Sequence, residues 1–326
     1  MILVVLAGCG GEQSPRATPG VTATVAPPQA AVEGSLPGAL TDRTCPAAGD
    51  DWPTMTIALD ARTAWIACKE DDAVESLAGA KVELDGQAIA VLSAFGAIWA
   101  LSDRGTLFRI ENGKVGQKID LEAGRPYNLW AGAGSMWAID DGTGQVIRVD
   151  PATNQVVAKV QVGDGPADMA FAGRSAWVIN HRDRTLVVID TRTNRARTLA
   201  TIAEQNAAPE RMALLRGSLW ITGRGMDLWQ VDPATGRVSR TVEIGGSGID
   251  VVAAGGALWV PARSDESDES GLPTMEALRR VSASGRVRTV SEPIGRVDVH
   301  GLTADRSVLW LCDNTAGIVY RVPLNH

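Results

Sequence analysis

Histidine is nearly missing from this 326-residue chain: there are three, and one of them, His326, is the last residue. That leaves His181 and His300 as the candidate imidazole acid–base groups. The four cysteines, Cys9, Cys45, Cys68 and Cys312, have no CxxC spacing and no repeated histidine beside them, which argues against a zinc site. The sequence also lacks a GxSxG elbow, an HExxH helix and a P-loop. No cofactor-binding signature repeats, so no cofactor and no metal are expected. No apolar run is long enough for a transmembrane helix, and no helix-period pattern lasts beyond a turn or two. Positive charge is short as well. The formal net charge is -7 and the arginines form no stripe, which argues against general nucleic-acid binding.

What the chain does have is tryptophan in a repeated phrase. An apolar residue, tryptophan and a further apolar residue follow a small one at Trp65, Trp99, Trp137, Trp177, Trp220 and Trp259, and Val308-Leu309-Trp310-Leu311 completes the series. Spacings of 34 to 51 residues with β-rich units predict a propeller or a solenoid. Around Trp177 the unit reads as four short runs: Pro166 to Ala172, Ser175 to Ile179, Leu186 to Ile189, and Ala196 to Ile202. Turns or polar loops separate them, the signature of a four-stranded antiparallel meander. The third-to-fourth turn recurs as Asp150-Pro151-Ala152-Thr153-Asn154 and Asp232-Pro233-Ala234-Thr235-Gly236. Asp bonds its own backbone there, Pro presets φ, and Asn or Gly tolerates the left-handed region. A lone four-stranded sheet cannot bury both faces, whereas stacking in a closed ring does. The expected fold is all-β: a seven-bladed β-propeller of four-stranded antiparallel blades over residues 38–326. Its tryptophans should pack between neighbouring blades.

The seventh unit supplies three strands. The missing outer one is expected from Ser35 to Arg43, so that an N-terminal strand closes the ring. Cys45, Cys68 and Cys312 would then gather at the seam. A Cys45–Cys68 disulfide is expected there, with Cys45–Cys312 as the rival pairing and three buried thiols as the plain alternative. Ahead of the ring, residues 10–37 are rich in Pro, Ala, Thr and Gly and read as a disordered linker. Residues 1–9 end in Leu6-Ala7-Gly8-Cys9, which resembles the lipobox of bacterial lipoproteins. That resemblance implies a signal-peptide remnant, lipidation of Cys9 and an exported protein. The membrane would be reached by the N-terminal lipid anchor only, with the ring facing the extracytoplasmic side.

In such blades the second-to-third loops and the blade-to-blade connections share one face, and here they are the longer and more variable set. Function concentrates in variable loops on a rigid scaffold. Two positions form rings on that face. Nine residues before each tryptophan stand Thr56, Ala90, Asn128, Asp168, Arg211, Asp250 and Gly301. Just after the tryptophan strands come Ser102 and Asp103, Asp140 and Asp141, Asn180 and His181, Arg224, Arg263, and Asp313 and Asn314. The candidate ligand-binding set is Tyr127, Asn128, Asp140, Asp168, His181, Arg211, Arg224, Asp250 and Asp313. Ordinary turn and loop roles are the plain alternative. A run at Arg263 to Gly271 lengthens the sixth unit, and it reads as a solvated loop because it lacks the ligand order of an EF-hand.

The repeated tryptophan strands, the Asp-Pro-Ala-Thr turn and Val162-Gly163-Asp164-Gly165-Pro166 resemble the YVTN-type surface-protein propellers and the streptogramin B lyase-like propellers. The resemblance covers about residues 50–325 and rests on structural motifs, so it implies a fold before it implies a reaction. Streptogramin lyases hold a metal near catalytic His and Glu residues; that constellation has no match here, since His181 and His300 are each isolated from a second His and a well-placed Glu. The leading expectation is an envelope-anchored, monomeric binding or scaffold protein without catalysis, docking a protein, peptide or glycan ligand of the cell envelope. The alternative is a metal-dependent lyase using His181 or His300.

Overall fold

Each tryptophan phrase forms the second strand of its own sheet in the computed structural model. The structure describes residues 24–25, 55–60, 63–68, 72–202, 207–225, 227–267, 273–290, 299–313 and 318–324. In the third unit Pro126–Gly132, Ser135–Asp140, Gln145–Asp150 and Gln155–Gln161 pair in chain order, all antiparallel. The second strand is buried along its whole length, while the fourth exposes alternate residues. That gradient is the one expected for a strand covered on both faces next to one at a sheet edge.

Seven such sheets follow one another, at 55–83, 88–120, 126–161, 166–201, 208–242, 247–289 and 299–323. The chain is therefore a seven-bladed β-propeller. In blade 6 the inner strand is split into Ser247–Gly248 and Val252–Ala254, both pairing the same neighbour. Blade 7 has three strands among the described residues. The segment 35–43, expected to complete it, lies outside them. So does Cys45, and with it both proposed disulfides. The ring nevertheless closes through its core: Ile57, Ala64 and Ile66 of blade 1 pack with Cys312 and Val319 of blade 7. In the linker, Thr24 and Val25 pair in parallel with Thr241 and Val242 at the outer edge of blade 5. Of the Arg263–Gly271 insertion, expected as a loop, residues 263–267 instead extend the strand Ala257–Ser267, which pairs with Pro273–Ser282 as far as Ser267 with Pro273; residues 268–271 lie outside the described residues. The pairing persists across two register shifts, at Ala262/Arg263 and Arg263/Ser267.

The core is divided among the seven seams. Each apolar cluster joins the tryptophan of one blade to residues of the next. Trp99 sits with Leu129, Met136 and Ala138, Trp137 with Met169, Ala176 and Val178, and Trp259 with Leu309 and Leu311. Trp310 completes the circle against blade 1. Trp99, Trp137, Trp220 and Trp259 are fully buried. A buried indole removes about 150–250 Å² from water, so every seam has a large apolar wedge.

A polar clamp reinforces two of these seams. The residue paired with Trp99 on the third strand is Arg109, and with Trp137 it is Arg148. Their guanidiniums lie 5.5 and 5.2 Å from the indole centroids, within cation–π range. From there Arg109 donates to the Pro151 carbonyl and Asn154 Oδ1, and Arg148 to the Thr191 carbonyl and Asn194 Oδ1. The repeated turn is thus the receptor for the preceding blade's arginine. Asn154 and Asn194 both have φ of 57°, in the left-handed region that Asn tolerates. Between blades 4 and 5 the arrangement changes at both ends together. Val188 replaces the arginine, Gly236 replaces the asparagine, and Trp177 itself donates to the Pro233 carbonyl at 2.9 Å.

Candidate functional site

The inner strands slip register near the channel mouth, at Ala88/Ala90, Pro126/Leu129, Pro166/Asp168, Pro209/Arg211 and Val299/Leu302. A bulge of this kind frees backbone groups from the ladder. In blades 2, 3, 4, 5 and 7 the position nine before the tryptophan lies at or within these slips, and where that position holds Asn or Asp its side chain takes up backbone N–H groups. Asn128 Oδ1 accepts from Leu129 N, Asp168 Oδ1 from Met169 N, and Asp250 Oδ1 from Val251 N. Three of the ring side chains also reach the next blade. Thr56 Oγ1 accepts from Val91 N at 3.0 Å, Asp168 Oδ2 from Met212 N at 2.6 Å, and Asp250 Oδ2 from Leu302 N at 3.1 Å. Polar residues recur at this offset because they strap the inner strands of neighbouring blades together. The oxygens of Asp168 and Asp250, named above as ligand-binding groups, are occupied by backbone.

Arg211 stands in the same ring and cannot be a strap, since it has no acceptor. It crosses the mouth instead. Nη1 donates to the Glu210 carbonyl and Nη2 to the Tyr127 hydroxyl in blade 3, both at 3.0 Å. Nε lies 3.9 Å from Asp250 Oδ1 in blade 6. Asp168 receives a third bond, from Trp130 Nε1 at 2.8 Å. Burial pushes the Asp168 carboxyl up to about 7, although Arg211 and the Met212 N–H pull the other way. Burial also raises the Tyr127 phenol. It works against the charge on Arg211 too, but Tyr127, Asp250, Asp168 and Glu210 more than compensate, so that cation is held firmly.

Around this centre the loops of blades 3 to 5 carry a chain of charges. Asp140 accepts from Thr143 Oγ1 and from the N–H groups of Gly124, Arg125 and Gly142. Burial opposes its ionisation, but these donors hold it below the usual carboxylate range. It therefore organises its loop. Asn180 does the same in blade 4, donating to the Val162 carbonyl and to Thr185 Oγ1. Next to Asp140, the buried Asp141 pairs with Arg125 at 2.6 Å and with Arg182 at 2.7 Å, and Arg182 extends to Asp164 at 2.8 Å. Arg224 pairs with Glu210 at 3.2 Å. Arg125 and Arg224 remain 57% and 77% exposed, and Arg182 36%. His181 is half-buried; burial and Arg182 lower its pKa, while Asp141 and Glu210 oppose them. His300 and Asp313 lie on strands Val299–Ala304 and Val308–Asp313, but their side chains fall outside the description. Among the described residues no three His, Cys, Asp or Glu side chains gather as a cation site.

The structure thus brings Tyr127, Asp168, Arg211 and Asp250 together at the mouth. Asn128 stands in the same ring but accepts from the adjacent Leu129 N–H within its own strand, and Asp140, His181 and Arg224 sit in the surrounding loops. The candidate set did not contain Trp130, Arg125 or Arg182. Trp130 announced itself by standing outside the tryptophan register. Arg182 follows His181 directly and carries no signal beyond its place in a variable loop.

No family model matches the chain, and no curated protein matches it. Solved structures do share its fold. Virginiamycin B lyase from Staphylococcus aureus superposes with a TM-score of 0.67 at 15% identity, covering 82% of this chain and 94% of the lyase. BamB from Moraxella catarrhalis gives 0.56 at 15% identity, with 83% and 82% covered. A BBS1 fragment solved in complex with ARL6 gives 0.63 at 14% identity, with 91% and 95% covered. The chain is similar to streptogramin B lyase-like and BamB-like propellers, and at these identities the similarity is one of fold. Its neighbours include an enzyme and a propeller bound to another protein.

Proposed function

We propose that this chain is an envelope-anchored lipoprotein whose propeller mouth, in the sector of blades 3 to 5, docks a protein or peptide partner. The observation that carries the reading is the arc of Arg125, Arg182 and Arg224. These cations are joined to acidic partners yet remain partly exposed, on loops that differ from blade to blade. Arg125 and Arg182 balance the buried Asp141, but the more exposed Arg224–Glu210 pair contributes only roughly 0–1 kcal/mol, so folding alone gives weak reason for that cation. Arginine is also enriched at interface hot spots. The lipobox-like Leu6-Ala7-Gly8-Cys9 supplies the anchor and the extracytoplasmic location, and the following Pro- and Thr-rich tract supplies a tether. The BBS1 neighbour is a precedent for a propeller of this shape holding another protein.

Affinity capture from cell envelope tests the reading. The double variant Arg125→Ala/Arg224→Ala alters exposed side chains and should fold. It should lose partners that the wild-type protein retains, and recovery of the same set would contradict the docking face. Replacing Cys9 with Ser should release the protein from the membrane fraction; retention there would contradict the anchor.

The second reading, a metal-dependent lyase at His181, draws on the fold shared with virginiamycin B lyase and on the acidic groups acting on His181. Stoichiometric metal lost in His181→Ala would favour it over the binding protein.

A further inference from the structure

The charged groups at the mouth differ in what they have left to offer. Asp168 is filled by three N–H donors, from Trp130, Met169 and Met212. Asp250 is filled by Val251 and Leu302. Glu210 faces Arg224. Arg211 is the exception. A guanidinium presents five N–H donors in a planar fork, and only two of them meet an acceptor here, the Glu210 carbonyl and the Tyr127 hydroxyl. The Nε–H faces Asp250 at 3.9 Å, beyond hydrogen-bond distance. Three donors therefore lack an acceptor among the described residues, on a side chain that is only 13% exposed.

From this imbalance we propose that Arg211 is the recognition point of a carboxylate-bearing ligand, held at the channel mouth by the unused edge of its guanidinium fork. The ligand must bring acceptors, because the acidic side chains around the site are already occupied. A carboxylate matches the fork with two oxygens in one plane. Its single charge suits the site. Asp250 stands beside Arg211 and Asp168 close by, so a phosphate dianion would meet repulsion that a monoanion meets only in part. A carboxylate at the end of a peptide and one on a free small acid share this chemistry. The proposal deepens the docking reading and rests on it, since the ligand enters by the same mouth.

The test uses the intact propeller labelled with ¹⁵N, propionate as the small-acid probe, and a tripeptide with a free or amidated C-terminus as the peptide probe. The Arg211 Nε–H and the Trp130 indole N–H are the reporters. Propionate, or the free-acid peptide but not its amide, should move both resonances in a saturable way. Lys114→Gln, on the exposed outer strand of blade 2, should leave the effect intact. Arg211→Lys, which keeps the charge and loses the fork, should weaken binding about tenfold or more as read at Trp130. Its remaining indole resonances report that it is folded. The proposal is overturned if neither carboxylate gives a saturable shift, if chloride or phosphate does as well as propionate, or if Arg211→Lys binds as tightly as wild type. Should it fail while Arg125→Ala/Arg224→Ala still loses its envelope partners, the docking face stands and only the ligand chemistry at Arg211 is wrong.

Discussion

The Asp168 carboxylate of blade 4 accepts the Met212 backbone N–H of blade 5 at 2.6 Å. That bond joins the inner strands of two blades at the channel mouth. The same offset does the same work between Thr56 and Val91 and between Asp250 and Leu302. The mouth is thus built from side chains that hold the ring together and one, Arg211, that retains unused donors.

Asp168 makes stability depend on pH. Its folded pKa is raised, chiefly by burial, to about 7, against about 3.9 for an unperturbed Asp. Between those values the folded protein keeps a proton that the unfolded chain has released. Stability from this group is therefore full below about pH 4 and is lost as pH rises through about 7. Urea unfolding across that window should show the decline, and Asp168→Asn should flatten it. An unchanged slope in the variant would show that Asp168 does not titrate there.

Thr56→Val should destabilise the protein by about 1–3 kcal/mol, because it leaves the Val91 N–H at the blade 1–2 seam without its acceptor. Thr56→Ser keeps the hydroxyl and should recover most of the loss. Equal losses for both would point to packing rather than the strap.

Trp137→Ala should cost about 3–5 kcal/mol, since the indole is fully buried between blades 3 and 4. Chemical denaturation measures this directly. A cost near zero would mean that the seam does not depend on its wedge.

Asn194 separates backbone from side chain in the clamp. Asn194→Gly keeps the φ of 57° and loses the bond from Arg148, at about 0.5–1.5 kcal/mol. Asn194→Ala loses the bond and adds left-handed strain of about 1–2 kcal/mol. The alanine variant should therefore unfold at the lower urea concentration. The reverse order would contradict the proposed role.

Much of the fold was legible in the sequence. The tryptophan spacing reported seven blades because each seam needs the same wedge, and the Asp-Pro turns marked the third-to-fourth strand connections. The candidate site was legible as a place more than as a set of roles. The offset of nine residues located Asp168, Arg211 and Asp250 at one mouth, yet a strap and a ligand-binding carboxylate look alike until the bulged N–H groups are seen. Arg109 and Arg148 escaped notice for a related reason. Their partners are turns 42 and 46 residues further on, and no local pattern links the two. The paired change at Val188 and Gly236 is a trace of that link within the chain.

A photocrosslinking residue tests the central claim most directly. Placed at Arg224 it reports the arginine arc; placed at Ala234, at the other end of the third strand of blade 5, it reports the opposite face of the propeller. In living cells the first position should trap a protein or peptide partner and the second should not. Crosslinks from Ala234 with none from Arg224 would contradict the account.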